Sequence, residues 1–184
     1  MKRYWWLINL IRQHGLTKGA EVGCANGATT GKLLTYCPDL VLYAVDKWEK
    51  IIGGPEAGDM RNNDPKYAHL ADRQGCTAWD PVAGEARFDK AVHPYAKRLV
   101  KLKGDSVEMA QHVEDESLDF VFIDADHRYQ GVKGDLEAWM PKVKPGGWIT
   151  GHDVHLRGVK RALDELVPDY VDTGIDHVWA IQKQ

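Results

Sequence analysis

Short apolar runs alternate with amphipathic stretches along the chain, and this alternation predicts an α/β fold with a mostly parallel sheet. The apolar runs predict seven strands, over residues 19–22, 41–45, 99–102, 118–123, 148–151, 170–173 and 177–182. The amphipathic stretches predict helices over residues 1–14, 29–36, 85–97, 130–139 and 158–166. The fourth run is almost entirely apolar, which is typical of a strand buried on both faces. The last two strands are close enough for a hairpin, so we expect the final strand to be antiparallel.

Residues 48–83 interrupt this rhythm with glycines, prolines and mixed charges. A connection of this length in a compact domain is usually a functional lid or a disordered segment. Our hypothesis is a lid that folds over a binding site and excludes water, and the alternative is a disordered surface loop. The segment supplies Trp48, Tyr67, His69, Cys76 and Trp79. We treat it as an insertion, because a length of 184 residues favours a single domain over residues 1–184.

Composition excludes several classes of protein. Apolar residues make up 43% and charged residues 28% of the chain, as in ordinary globular proteins. A net charge of −3 gives no electrostatic reason to expect a nucleic-acid partner. Three cysteines in an unpaired arrangement argue against a disulfide framework and predict a cytoplasmic location. No apolar run approaches a membrane span, and the apolar part of residues 1–11 is short for a signal peptide.

The predicted N-terminal helix carries apolar residues on two sides. Most lie on one broad arc, whereas Trp6 and Leu10 lie on the other side. Three roles are open for this second side: packing within the domain, closing a binding site, or forming a homodimer contact.

A glycine turn with the pattern Glu21-x-Gly23-x-x-x-Gly27 joins the first strand to its helix. Gly23 can adopt backbone angles closed to other residues, and Gly27 lets a ligand approach the backbone closely. In a doubly wound sheet, nucleotide-like ligands bind at this first crossover. Glu21 places a carboxylate in the predicted pocket, where it would repel a pyrophosphate. Asp46 ends the second strand, where a carboxylate can bind the two hydroxyls of a ribose.

From residue 19 to residue 184, the chain resembles class I S-adenosylmethionine-dependent methyltransferases. The resemblance rests on the glycine turn, on Asp46, on Gly104-Asp105-Ser106 after the third strand and on Pro145-Gly146-Gly147 before the fifth. It implies a Rossmann-like, doubly wound sheet of seven strands with an antiparallel last strand, and S-adenosylmethionine as cofactor. Ala25 stands where many members have glycine. The implied cofactor-binding residues are Glu21, Gly23, Ala25, Asn26, Gly27, Asp46, Lys47, Gly104, Asp105, Ser106 and Asp124.

Within this set, the resemblance implies which part of the cofactor each group would contact. Glu21 and the backbone of the glycine turn would lie near the methionine part. Asp46 would bind the ribose, and Asp105 with Ser106 would lie near the adenine.

Carboxylates and histidines follow the fourth and fifth strands. Asp124-Ala125-Asp126-His127 comes after one strand and His152-Asp153-Val154-His155 after the other. If these strands are neighbours, as in the resembled family, their ends bring the side chains to one rim. Carboxylate and imidazole ligands suit Mg²⁺, Mn²⁺ or another divalent cation. Such an ion could lower the pKa of a substrate hydroxyl. Alternatively, His127 could accept the proton as a general base.

The same residues resemble a branch of the family that groups small bacterial enzymes with sugar and antibiotic O-methyltransferases. By position, the resemblance implies a metal site at Asp124, His152 and Asp153, and catalytic roles for Asp124 and His127. His152 is a departure, because metal-using relatives have an aspartate there.

These features predict methyl transfer to an oxygen of a small hydroxylated molecule. Two alternatives are a nicotinamide-dependent oxidoreductase, which Glu21 disfavours, and an S-adenosylmethionine-binding protein without catalysis. We expect a small-molecule acceptor and no nucleic-acid or membrane partner.

Overall fold

The structure is a computed structural model that describes residues 1–49 and 81–184. Its strands are β1 (Lys18–Val22), β2 (Val41–Asp46), β3 (Leu99–Lys103), β4 (Leu118–Ile123), β5 (Val143–Gly151), β6 (Val171–Asp172) and β7 (Trp179–Gln182). Its α-helices are α1 (Arg3–His14), α2 (Ala28–Tyr36), α3 (Pro81–Val92), α4 (Ser106–Ala110), α5 (Tyr129–Trp139) and α6 (Arg157–Leu166). Two 3₁₀ helices span His93–Arg98 and Met140–Lys142.

The seven strands form one sheet in the order β3-β2-β1-β4-β5-β7-β6. The pairs from β3 through β5 are parallel, and β7 is antiparallel to both β5 and β6. This topology confirms the predicted doubly wound sheet and its antiparallel last strand. Because β1 and β4 are central and the order reverses beside them, their carboxyl ends form the edge where ligands bind in such sheets.

The core lies on both faces of the sheet, as the apolar fourth strand predicts. All six residues of β4 are buried, and successive side chains point to opposite faces. Val121 and Ile123 pack with α5 and α6, whereas Phe120 and Phe122 pack with α1, α2 and α3. The sheet is therefore held rigidly from both sides, and its carboxyl edge is a fixed platform.

Helix α1 packs within the domain on most of its surface. Leu7, Ile8, Leu10 and Ile11 are buried, so the second side that carries Leu10 is covered by this chain. Trp5 is 36% exposed and lies against Tyr36, with 4.8 Å between ring centroids. Packing within the domain is therefore the observed role of this helix, and a homodimer contact stays a prediction.

The predicted bounds of α3 and β5 are wrong for local reasons, and helix α4 was not predicted. Helix α3 begins at Pro81, where proline costs no hydrogen bond, and ends at Val92 before a 3₁₀ turn. Strand β5 begins at Val143, because the glycines at 146 and 147 are accommodated as an irregularity in pairing with β4. Helix α4 was not predicted, because five residues carry too little periodicity to indicate a helix.

Most of the predicted lid falls outside the described residues. This applies to residues 50–80, including Tyr67, His69, Cys76 and Trp79. Trp48, at its start, is 4% exposed and packs on Phe88 of α3, with 4.8 Å between ring centroids. Trp48 is thus a core residue of the domain.

Candidate functional site

The glycine turn lies directly against the end of β4. Gly23 has a φ of 96°, and a Cβ added there would lie 2.2 Å from the backbone oxygen of Asp124. Gly27 has a φ of 76° and stands immediately before α2. Only glycine fits at Gly23, because both the angle and the space exclude a side chain. The first crossover and the rim of carboxylates and histidines are therefore parts of one site.

Glu21 is buried rather than open to the edge of the sheet. Its exposed fraction is 2%, and the Thr30 hydroxyl of α2 donates a 2.6 Å hydrogen bond to its Oε2. Burial raises the pKa of Glu21 to about 8, reinforced by the nearby Asp124 and opposed by the Thr30 bond and by Arg3. A buried carboxyl group with a strongly raised pKa is typical of functional sites, where such shifts are concentrated.

Asp46 fixes the glycine turn in place. Its Oδ2 accepts a 2.7 Å hydrogen bond from the Ala25 N–H, and its Oδ1 accepts a 2.8 Å bond from the Trp48 N–H. The Trp48 indole in turn donates to the Ala25 carbonyl oxygen at 2.7 Å. Ala25 has a φ of 46°, a left-handed angle that favours glycine. Each carboxylate oxygen has a second lone pair, so Asp46 retains acceptor capacity for a ribose.

The end of β3 is tied to the end of β2. The Gly104 N–H donates to the Asp46 carbonyl oxygen at 3.0 Å, and the Lys47 ammonium lies 2.6 Å from Asp105 Oδ2. Asp105 also caps α4 by accepting from the N–H groups of Val107 and Glu108. The hydrogen bond from Lys47 is the main cause that lowers the pKa of Asp105. These predicted cofactor residues therefore form one connected group.

Sequence reasoning missed two residues of α5 that form hydrogen bonds with Ser106. The Ser106 hydroxyl makes a short hydrogen bond to Asp135, and the Trp139 indole donates to the Ser106 carbonyl oxygen at 3.1 Å. Asp135 is 1% exposed, and burial raises its pKa to about 7. The sequence holds one sign of this role: Asp135 is a carboxylate on the otherwise apolar face of the α5 pattern.

The predicted metal residues come together at the ends of β4 and β5. Suitable ligand atoms of Asp124, His152 and Asp153 all lie within 4.8 Å of one another. His152 Nδ1 lies 3.1 Å from Asp153 Oδ2 and 3.6 Å from Asp124 Oδ1. His127 Nε2 faces the same two oxygens, at 3.0 Å and 3.5 Å respectively. Asp153 has a φ of 59°, a strained angle for a residue other than glycine, and such strain concentrates at functional sites.

The histidines and aspartates of this rim alter one another's charge. Burial alone would lower the pKa of His127, but Asp124 and Asp153 outweigh it and raise the pKa to about 10. Burial would likewise raise the pKa of Asp153, but His127 and His152 outweigh it and lower the pKa far below its usual range. The two carboxylates therefore favour the protonated form of the His127 imidazole.

Arg3, at the start of α1, is a second contribution that sequence reasoning missed. Its guanidinium lies 3.3 Å from Asp124 Oδ2 and donates from Nε to the Thr29 hydroxyl at 3.4 Å. Its backbone N–H donates to Asp176 at 2.9 Å. Helix α1 thus connects β4, α2 and the loop between β6 and β7 at the rim. Nothing in the sequence near Arg3 indicates this role, because the contacts span the whole chain.

A sequence model described as a methyltransferase domain matches residues 20–154. This match covers the glycine turn, Asp46 and the rim of carboxylates and histidines, and it extends over more than half of the chain. The chain belongs to this methyltransferase family. A curated relative, the uncharacterized protein y4gI of Sinorhizobium fredii, is 24% identical over 158 residues, which is 83% of this chain. The chain spans only 14% of that relative's length.

Solved structures of methyltransferases share the fold of this domain. The O-methyltransferase NovP gives a TM-score of 0.68 at 13% identity, over 98% of this chain and 78% of NovP. The methyltransferase PaMTH1 of Podospora anserina, solved with S-adenosylhomocysteine, gives 0.63 at 14% identity, over 99% of this chain and 78% of PaMTH1. A methyltransferase of Geobacter sulfurreducens gives a TM-score of 0.61 at 14% identity, over 98% of this chain and 77% of the Geobacter chain.

Two further observations concern the predicted absence of a membrane partner and the position of Asp126. In residues 1–49 and 81–184, every helix is too short or too polar to cross a membrane. Asp126, which the sequence places on the rim, is held by the Arg128 guanidinium, with Nε 2.8 Å from Oδ2. Asp126 is thus turned toward a neighbouring surface residue, unlike Asp124.

Proposed function

We propose that this domain transfers the methyl group of S-adenosylmethionine to a hydroxyl oxygen of a small molecule. One observation carries the proposal: Gly23 packs on the backbone of Asp124, so the glycine turn of the family adjoins the rim of carboxylates and histidines. Any ligand seated on the turn has its reactive end beside side chains that bind ions or accept protons. Two proteins that share the fold support this proposal: NovP is an O-methyltransferase, and PaMTH1 is a methyltransferase solved with S-adenosylhomocysteine.

The turn and the end of β2 offer S-adenosylmethionine a backbone cradle and an acceptor for its ribose. Glu21 is buried beneath the turn against Thr30, so the expected repulsion of a pyrophosphate by an open Glu21 carboxylate does not hold in the structure. Asp46 has spare lone pairs at the end of β2, next to the left-handed backbone of Ala25. When bound, S-adenosylmethionine supplies a methyl carbon attached to a positively charged sulfur. The chain's own groups would hold the cofactor through Asp46 and the turn and place Asp105 and Ser106 at its adenine end.

Two routes can remove the proton from the acceptor hydroxyl. In the first, Asp124, His152 and Asp153 would hold a divalent cation, whose positive charge would lower the pKa of a hydroxyl. The fit of these residues rests on the unpartnered ring nitrogens of His152, which are buried and form no hydrogen bond. In the second, His127 accepts the proton itself, which requires the neutral imidazole, the form that Asp124 and Asp153 disfavour. In both routes, the oxygen bonds to the methyl carbon as the carbon–sulfur bond breaks.

The experiment is a methyl-transfer assay with isotopically labelled S-adenosylmethionine and a panel of small catechols, sugars and other hydroxylated acceptors. The assay is run with EDTA, with Mg²⁺ and with Mn²⁺. We expect labelled methyl ether product, lowered at least about 100-fold in Asp124→Asn, because this change removes a charge from the reacting edge. Lys133→Ala, a surface change on α5, is the control. Turnover that is unchanged in Asp124→Asn would contradict the catalytic role of the rim.

The two alternatives are distinguished by binding. A nicotinamide-dependent oxidoreductase would bind NAD and not S-adenosylhomocysteine. A binding protein without catalysis would bind S-adenosylhomocysteine and transfer no methyl group to any acceptor in the panel.

A further inference from the structure

Four atoms converge at the ends of β4 and β5, although only three of their residues match the family's metal positions. Asp124 Oδ1 and Asp153 Oδ2 each face two ring nitrogens, His127 Nε2 and His152 Nδ1. The four nitrogen-to-oxygen separations lie between 3.0 and 3.6 Å. Ligands about 2.1 Å from one ion lie about 3.0–3.4 Å from one another. The two separations from Asp153 Oδ2 fall in this range, and the two from Asp124 Oδ1, at 3.5 and 3.6 Å, are slightly longer.

Both ring nitrogens face carboxylate oxygens without forming a well-directed hydrogen bond. Among the described residues, His127 Nε2 and both ring nitrogens of His152 are buried and make no contact with hydrogen-bond geometry, although Asp153 Oδ2 lies 3.0 Å from His127 Nε2 and 3.1 Å from His152 Nδ1. The His152 side chain is 10% exposed, so most of its surface is removed from bulk water. Two such groups aimed at the same pair of carboxylates point to a ligand that binds all four atoms.

We propose that His127 Nε2 is the fourth ligand of a two-histidine, two-aspartate site for a first-row transition-metal dication such as Mn²⁺, Fe²⁺, Co²⁺ or Zn²⁺. This inference rests on the ion-assisted route of the proposed function. It assigns His127 to the ion and removes it from the role of general base, because one nitrogen cannot bind an ion and accept a proton together.

The ligand chemistry selects transition metals over Mg²⁺ and Ca²⁺. Mg²⁺ and Ca²⁺ are hard cations that take oxygen ligands, whereas imidazole nitrogen suits the later first-row metals. Two neutral imidazoles and two carboxylates also balance the charge of a dication. Arg3 contacts the other oxygen of Asp124, Oδ2, and leaves Oδ1 for the ion.

Two neighbouring residues are excluded from the ligand set by their geometry. His155 Nδ1 lies 3.8 Å from the other oxygen of Asp153, Oδ1, and its ring stacks on His177 with 3.8 Å between centroids. Asp126 binds the Arg128 guanidinium through both of its oxygens. Among the described residues, His155 therefore provides a matched control: a histidine beside Asp153 that does not face the shared centre.

The experiment measures ion binding directly. Protein stripped with EDTA and dialysed is titrated with Mn²⁺, Co²⁺, Zn²⁺ and Mg²⁺ by calorimetry, and the visible absorption of the Co²⁺ complex reports nitrogen coordination. We expect one ion per chain, with Mn²⁺ or Co²⁺ bound at least about 10-fold more tightly than Mg²⁺. We expect His127→Ala and His152→Ala each to weaken Co²⁺ binding at least about 10-fold and to change the absorption spectrum.

The controls separate ligand loss from misfolding. His155→Ala should retain the affinity and the spectrum, and His127→Asn, which keeps a polar side chain, should weaken binding as His127→Ala does. Circular dichroism and thermal unfolding verify that each variant is folded. Equal affinities for Mg²⁺ and Co²⁺, an unchanged spectrum in folded His127→Ala, or an equal loss in His155→Ala would overturn the proposal.

S-adenosylhomocysteine titrated into the same samples separates this inference from the proposed function. If S-adenosylhomocysteine binds and no transition metal does, the ion site is refuted and methyl transfer stands through the metal-free route. If the metals bind as expected and S-adenosylhomocysteine does not, the ion site stands and the methyl-transfer proposal fails.

Discussion

At the scale of single residues, two glycines with positive φ differ in what surrounds them. Gly23 and Gly146 both have positive φ, at 96° and 76°. A side chain at Gly23 would overlap the backbone of Asp124, whereas no atom lies within 4 Å of a Cβ at Gly146. A pattern of glycines in the sequence indicates positive φ angles. It does not indicate the overlap at Gly23, because that overlap depends on Asp124, about 100 positions away.

We therefore expect Gly23→Ala and Gly146→Ala to differ sharply in stability. Gly146→Ala should cost about 1–2 kcal/mol, the price of a left-handed angle. Gly23→Ala adds an overlap with backbone that cannot move aside, so it should cost roughly 4 kcal/mol or more, which is exceptional for one substitution. Urea unfolding at equilibrium measures both. Equal losses in the two variants would contradict the close packing of the glycine turn on β4.

Glu21 should make the stability of the domain depend on pH. Its pKa is about 8 in the folded protein and near 4.5 when the chain is unfolded. The unfolded state therefore loses the Glu21 proton first, so this residue destabilises the fold progressively from about pH 4.5 to pH 8 and not below that window. Glu21→Gln should remove this dependence and gain on the order of 2–4 kcal/mol at pH 8, because each pKa unit corresponds to about 1.4 kcal/mol.

Urea unfolding of the wild type and Glu21→Gln at pH 5, 6, 7 and 8 provides the measurement. The free-energy difference between the two should widen with pH. Thr30→Val serves as a control that removes the hydrogen bond and keeps the carboxyl group. Parallel stability curves for wild type and Glu21→Gln would show that Glu21 has an ordinary pKa in the fold.

At the scale of elements, strongly periodic segments were predictable and short or interrupted ones were not. The β4 run is apolar at every position but Asp119, so it indicated a central strand. Helix α4 has five residues and depends on the Asp105 cap and on Asp135 of α5. Strand β5 contains Gly146 with positive φ, which reads as a turn in the sequence. The Ser106–Asp135 contact is tertiary, so the local pattern could not reveal it.

Helix α4 should depend on its cap. Asp105→Ala removes the side chain that accepts from Val107 and Glu108, and such a change costs about 1 kcal/mol. Asp105→Asn keeps a good cap and loses only the charge paired with Lys47, so its cost should be smaller, because exposed ion pairs contribute little. Chemical denaturation compares the three proteins. A larger loss in Asp105→Asn than in Asp105→Ala would contradict the capping role.

At the scale of the whole molecule, a single buried aspartate joins three strands at the edge opposite the site. Asp119 of β4 is 6% exposed and accepts from the N–H groups of Thr17 and Lys18 at 2.6 and 2.8 Å. The ammonium of Lys144 on β5 forms an ion pair with its other oxygen. Burial would raise the pKa of Asp119, but these partners outweigh it and lower the pKa.

Asp119→Ala should destabilise the domain by about 2–4 kcal/mol, since it leaves buried donors without an acceptor. Because the folded pKa is lowered, the stabilisation by Asp119 is present above the unfolded pKa and is lost as pH falls through the folded value. Unfolding experiments at pH 7 and pH 3 test both statements, and the deficit should shrink at pH 3. Asp115→Ala is the control, because Asp115 pairs with Lys142 at an exposed position and should change stability by less than about 1 kcal/mol.

The site as a whole was predictable to the extent that it depends on strand ends. Because parallel strands bring their carboxyl ends to one edge, the sequence alone predicts that Asp46, Asp124 and His152 lie at that edge. Arg3 and Asp135 reach the site from helices distant in the sequence, so only the assembled fold reveals them. Whether residues 50–80 cover the site stays a prediction.

Calorimetric titration with S-adenosylhomocysteine and, in parallel, with NAD tests the central claim most directly. We expect S-adenosylhomocysteine to bind with a micromolar dissociation constant and NAD not to bind. Asp46→Asn should weaken the binding at least about 10-fold, because the variant offers the ribose hydroxyls a neutral acceptor in place of a charged one. Tight binding of NAD without binding of S-adenosylhomocysteine would contradict the assignment of this site.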